Sequence, residues 1–142
     1  MKRFVFDTNV LSEQTKPKPD IGVTTWLSEQ KVSSCLVSVV SIAEIEQGIL
    51  LLGKTKRAQG YRDWLANLEQ EYFGNIIAID REIATAWAEI TSRAMRLGQT
   101  QGYSDAWIAA TALVMDAVVV TRKTDDFKAF VSVLNPWTEP LN

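Results

Sequence analysis

Four acidic residues, Asp7, Glu44, Asp105 and Asp126, each stand beside an apolar stretch and are the side chains through which this chain can do chemistry. Asp7 ends Phe4-Val5-Phe6 and is followed by Thr8 and Asn9, two small polar residues able to orient it by hydrogen bonds. Glu44 lies in Ser41-Ile42-Ala43-Glu44, Asp105 opens the run Ala106 to Ala110, and Asp126 stands next to Asp125 after Ala117 to Val120. The chain has no histidine and a single cysteine, Cys35. That excludes Ser-His-Asp and Cys-His mechanisms, an internal disulfide and a Cys-x-x-Cys zinc site. A general base near neutral pH must then be a carboxylate, a lysine or a water acidified by a metal. Gathered carboxylates repel one another unless protons or cations intervene, and hard oxygen ligands without His or Cys select Mg²⁺ or Mn²⁺. A cation held this way can cut phosphodiesters with no histidine.

Each acid also has a plainer reading when taken alone. Asp7 suits a helix cap, Ser41-x-x-Glu44 has the spacing of a capping box, and Asp105 suits the positive end of a helix dipole. Asp125-Asp126 reads as a solvated acidic turn, and Cys35, inside an apolar run, as a small buried hydrophobe. What joins the acids is the set of elements around them.

Short apolar runs at Phe4–Phe6, Cys35–Val40, Ile76–Ile79, Ala117–Val120 and Val131–Leu134 are expected as strands. Between them lie helical patterns. Ile21–Gln30 is one. Ile42, Ile45, Ile49 and Leu52 mark a second, and Ala58, Tyr61, Leu65, Leu68 and Tyr72 a third. A fourth, capped by Asp80, carries Ile83, Trp87, Ile90, Ala94 and Leu97 and stops at Gly98, and a fifth, Asp105–Met115, is expected to be capped by Ser104. Thr15-Lys16-Pro17-Lys18-Pro19 is a loop because proline breaks helix, and Asn135-Pro136-Trp137 is a terminal turn. Alternating strands and helices imply an α/β fold with a parallel sheet covered on both faces. Such sheets bind ligands beyond the carboxyl ends of their strands, where Asp7, Ser41–Glu44 and Thr121–Asp126 fall.

With 142 residues, 46% of them hydrophobic and 23% charged, the chain fits one globular domain, 1–142. No apolar run reaches the roughly 18 residues needed to span a bilayer. The apolar part of Met1–Asp7 is too short for a signal peptide, so a cytoplasmic location is expected. A net charge of −2 argues against a protein that coats nucleic acid through a broadly basic surface. It does not argue against a nuclease, since a bound cation offsets both an acidic site and a phosphate. Lys54, Lys56, Arg57 and Arg62 form one basic group and Arg93, Arg96, Arg122 and Lys123 another. Each is either solvated surface or an RNA track whose affinity would fall steeply with salt. The five tryptophans are expected in the core or at interfaces.

Five segments in order carry a resemblance: Asp7-Thr8-Asn9-Val10-Leu11-Ser12; Ser41-Ile42-Ala43-Glu44-Ile45 with Gly48; Ser104 to Ala112; Thr121-Arg122 with Asp126-Phe127; and Asn135-Pro136-Trp137. Over essentially its whole length the chain resembles PIN-domain ribonucleases, specifically the VapC/FitB-like toxins of bacterial toxin–antitoxin pairs. The resemblance implies a PIN-like three-layer α/β sandwich around a short central parallel sheet of about four to five strands. It implies an acidic quartet of Asp7, Glu44, Asp105 and Asp126. In that set Asp7 and Asp105 are the principal Mg²⁺ ligands, Glu44 and Asp126 bind a second metal or water or accept protons, and Thr8, Asn9 and Thr121 support them. It further implies endonucleolytic cleavage of RNA leaving a phosphate monoester, a cognate VapB-like antitoxin that occludes the site, and a homodimer. One position departs. Where the family usually has asparagine, this chain has Lys123, whose ammonium either competes with a cation, neutralises the acids or reaches the RNA backbone.

Two other functions are open to the same residues. Gly48 to Thr55 fits the phosphate-loop pattern G-x-x-x-x-G-K-[ST] of NTPases, with Ile76 to Asp80 imitating their second motif. Against this, residues before Gly48 have helical period, the intervening residues are core-type, and Gly53 reads as a helix stop. The other alternative is a non-catalytic PIN-like binding module silenced by Lys123.

Overall fold

The computed structural model describes residues 2–99 and 102–138. Its elements in chain order are β1 (Arg3–Phe6), α1 (Thr8–Glu13), α2 (Ile21–Glu29), β2 (Cys35–Ser38), α3 (Val39–Leu51), α4 (Lys56–Glu71), β3 (Ile76–Ile77), α5 (Arg81–Arg96), α6 (Tyr103–Val114), β4 (Ala117–Val120), α7 (Thr124–Phe127) and β5 (Val133–Leu134). All five strands pair in parallel in the order β3-β2-β1-β4-β5. The runs are apolar because both faces of such a sheet are covered.

Alternate side chains divide the core into two layers. Phe4, Phe6, Cys35, Val37 and Val120 face one layer with Val10, Leu11, Val23, Ile42, Leu65, Leu68 and Tyr72. Val5, Leu36 and Val119 face the other with Ile83, Ile90, Ile108, Ala109 and Phe127. Helices α1–α4 thus cover one face and α5–α7 the other, the three-layer sandwich expected. Trp26 meets Phe4 and Phe6 edge-on, and Trp87 stacks on Trp107 at 4.8 Å. Tryptophans therefore serve the core, as expected. Cys35 is buried, and burial pushes its thiol up to about 11, so it is an inert hydrophobe at neutral pH.

Several expected boundaries move, each for a local reason. Strand β2 ends at Ser38, not Val40, because the Ser38 hydroxyl accepts from the Val40 amide at 3.0 Å and starts α3 there. Ser41 is therefore inside the helix, and the capping box from Ser41 to Glu44 does not form. Ser104 does not cap α6. The chain enters that helix at Gly102, with φ −58° and ψ 148°. A Cβ on Gly102 would stand 3.2 Å from Asp105 Oδ2, so glycine leaves the carboxylate its room. Strands β3 and β5 are two-residue pairings, shorter than Ile76–Ile79 and Val131–Leu134, and α2 stops at Glu29. Helix α5 is capped by Asp80 through Ile83 at 2.9 Å, and Gly98 beyond its end holds φ +71°, as read from the sequence.

The phosphate-loop reading is overturned by the backbone. Gly48 to Leu51 belong to α3 rather than following a strand, Gly53 stops that helix with φ +67°, and Thr55 caps α4 by accepting from Ala58 at 3.0 Å. No turn is left to cradle a phosphate. Among the described residues, no helix is long and apolar enough to cross a membrane.

Candidate active site

Phe6 is level with Val37 of β2 and Val120 of β4, so the ends of the three central strands finish side by side. After β1 the chain leaves toward β2, and after β4 it leaves toward β5 on the other side. The two departures open a crevice between Asp7 and Thr121. Helix α6 returns antiparallel to β4 and brings its N-terminal residue Asp105 to the same edge.

Asp7 is held rigidly. Its Oδ1 accepts from the Thr8 amide at 2.8 Å, and its Oδ2 accepts from the Thr121 hydroxyl at 2.8 Å and the Asn9 amide group at 3.2 Å. It is 3% exposed. Burial pushes its carboxyl above the ordinary 3.8; the Thr121 hydrogen bond and the Lys123 charge pull it back, and Asp105 adds to the rise. Asp105 is also buried, in the first turn of α6.

Between the two acids stands an ammonium. Lys123 Nζ donates to Asp105 Oδ1 and Oδ2 at 3.1 and 3.2 Å and lies 3.9 Å from Asp7 Oδ2. Its backbone is pinned, since the Lys123 amide donates to Thr121 Oγ1 at 2.9 Å. Partial burial alone would lower the ammonium's pKa, but Asp7, the hydrogen bond and charge of Asp105, and Asp126 outweigh it and set it above 10.5. The side chain is therefore charged at neutral pH.

Glu44 joins through Thr8. The Thr8 hydroxyl donates to Glu44 Oε1 at 2.7 Å, and Ser41 Oγ lies 2.9 Å from that Thr8 hydroxyl oxygen. Ser41 is a member that sequence reasoning assigned to capping; its place one helical turn before Glu44 was the available signal. Asp126 sits on the single turn α7, where its charge reaches Lys123. Its neighbour Asp125 turns outward to pair with Lys128 at 2.8 Å.

The expected quartet is thus graded. Asp7 and Asp105 face one point, Glu44 is tied to Asp7's neighbour, and Asp126 stands at the rim. Among the described residues, no three His, Cys, Asp or Glu side chains converge closely enough to hold a metal ion. The fit to a single cation rests on the pair: Lys123 Nζ already occupies, as a stand-in cation, the point both carboxylates face. Asn9 Oδ1, beside Asp7, is buried without a hydrogen-bond partner.

Comparison with known proteins agrees with this geometry. The PIN domain model matches residues 4–131. The chain belongs to the PIN-domain family. It is 36% identical to toxin FitB of Neisseria gonorrhoeae over 140 residues, covering 94% of this chain and 97% of that one. It is 31% identical to a VapC ribonuclease of Sinorhizobium fredii over 138 residues, covering 94% and 96%. The crystal structure of FitAcB from N. gonorrhoeae aligns with a TM-score of 0.90 at 33% identity, covering 96% of this chain and 99% of that one. In this PIN domain Asp7 and Asp105 face the crevice, and Lys123, which stands where the family usually has a neutral amide, bridges them, one of the placements expected for its ammonium.

Proposed function

We propose that this PIN domain is the toxin of a toxin–antitoxin pair and a divalent-metal-dependent endoribonuclease. The observation that carries this reading is the convergence of Asp7 and Asp105 on one cation position at the crevice between β1 and β4. Relatives named as a VapC ribonuclease and as toxin FitB support it. Asp7 and Asp105 would hold Mg²⁺ or Mn²⁺, a bound ion supplying positive charge to the scissile phosphate and acidifying water.

The chain's own residues do the rest. Three donors lock Asp7, so its ligand oxygens need no reorganisation when charge develops at the phosphate. Thr8 orients Glu44 to accept a proton from the attacking water, and Asp126 at the rim acts as a further acceptor. Hydrolysis with the phosphate retained on one fragment would leave a phosphate monoester. A VapB-like antitoxin covering the crevice, a homodimer and a cytoplasmic place complete the proposal. The FitAcB likeness supports the partner.

Cleavage of an RNA panel with and without EDTA tests this, beside the toxicity of Asp7→Ala on expression. Metal-dependent cutting and loss of toxicity in the variant are expected; EDTA-insensitive cutting would contradict it. The Lys123 bridge favours a second reading, a PIN scaffold that binds without cutting. Its mark would be toxicity or binding unchanged in Asp7→Ala.

A further inference from the structure

We infer that Lys123 is the resident cation of the Asp7–Asp105 pair, and that a divalent ion binds only by displacing it. The inference rests on the metal-dependent reading above. Both Asp105 oxygens and the nearer Asp7 oxygen are turned to the ammonium, at 3.1, 3.2 and 3.9 Å. Mg²⁺ requires its ligand oxygens at about 2.0–2.1 Å, on a near-octahedral shell. An ion at that distance from the same oxygens would sit within a few ångströms of the ammonium, two like charges contending for one pair of acids. One must leave.

The lysine is built to leave without disturbing the fold. Its side chain is 48% exposed, while that of Asp105 is 10% exposed. Its backbone is fixed through Thr121 Oγ1, so the four-carbon stem can swing out on an anchored base. When it is in place, its positive charge offsets one of the two negative charges of buried carboxylates that would otherwise repel each other. The chain is therefore stable without metal, and the price is weak metal affinity. A neutral residue at position 123 reverses both properties: tighter metal binding, and a metal-free fold strained by unshielded acids.

Mn²⁺ binding, followed by the paramagnetic signal of the free ion, and melting temperature in EDTA against added Mn²⁺ test this on the full chain. The variants are Lys123→Met, Lys123→Asn and Lys123→Arg. Met and Asn are expected to bind Mn²⁺ about tenfold or more tightly than the parent, the lower end for removing one nearby like charge. They should melt lower in EDTA and recover with Mn²⁺, whereas the parent and Arg should shift little. A variant that folds only with Mn²⁺ would support the inference in the strongest form. Equal Mn²⁺ affinity in parent, Met and Asn would overturn it and leave the metal-dependent reading intact. Absence of Mn²⁺ binding in all four, with RNA still cut, would overturn both.

Discussion

Thr121→Val removes one hydroxyl and very little volume, and it isolates what holds Asp7 in place. Thr121 is fully buried, its hydroxyl donates to Asp7 Oδ2 at 2.8 Å, and Thr121 Oγ1 itself accepts from the Lys123 amide at 2.9 Å. A hydrogen bond to a charged group is worth about 1.5–3 kcal/mol, and the amide bond about 1 kcal/mol. The added methyl returns somewhat under ~0.8 kcal/mol. The net loss near neutral pH is then about 1.5–3 kcal/mol, a fall in melting temperature of roughly 5–10 °C for a domain of this size. The loss should depend on pH. Burial already raises the native pKa of Asp7 above its unfolded value, so stability tied to this group is full below 3.8 and declines as pH rises through the native pKa. Without Thr121 that pKa climbs further, and parent and variant diverge as pH rises. Near pH 3.8 the gap should be smaller, because Asp7, whose native pKa lies above that, is then mostly protonated, and a protonated acid makes a bond about half as strong. Urea unfolding in EDTA at the two pH values measures both. A gap under about 0.5 kcal/mol at neutral pH, or one that grows on acidification, refutes the argument, since surface changes alone reach that size.

Three further outcomes follow from other contacts. Glu13 accepts from the Asp20 amide and pairs with Lys16, which together hold its carboxyl below the ordinary 4.5. Glu13→Gln should cost about 1–2 kcal/mol at neutral pH, and the difference should vanish as pH falls through the native pKa, which acid titration of unfolding checks. Gly22→Ala would place a Cβ 2.7 Å from the Pro136 carbonyl. The ~0.5–1 kcal/mol that alanine gains in a helix should be exceeded by the clash, about 1–3 kcal/mol, and a higher melting temperature would contradict this. Thr8→Val frees Glu44, so cleavage should fall about 10–100-fold with metal still bound; an unchanged rate would show that Glu44 needs no orientation.

Much of the fold was legible because a parallel sheet buried on both faces writes its strands as unbroken apolar runs. The heptad-like spacing of α4 and the cap at Asp80 were equally plain. Helix α1 was not read, since six residues carry less than two turns of pattern and its buried Val10 and Leu11 are adjacent. Capping was misjudged at the starts of α3 and α6. Ser38 wins over Ser41 because the chain turns at the strand's end, and α6 starts at Gly102, before Ser104, with no side-chain cap and with a glycine that leaves the Asp105 carboxylate room. Asp7 and Asp105 could be picked out by their place at strand and helix ends. The Lys123 bridge could be suspected from its family position but not placed, because a four-carbon stem can reach either solvent or the acids.

Bound Mn²⁺ and RNA cleavage, measured on the same folded preparations of the parent and Asp105→Asn, test the two-acid cation site most directly. The parent is expected to bind Mn²⁺ weakly and to cut RNA in proportion to its occupancy. Asp105→Asn loses the ion pair to the half-exposed Lys123 but also a like charge beside Asp7, so its melting temperature should fall by only a few degrees (about 1 kcal/mol) while metal and cleavage are lost together. Cleavage by Asp105→Asn at the parental rate, or by the parent with all Mn²⁺ removed, would contradict the account.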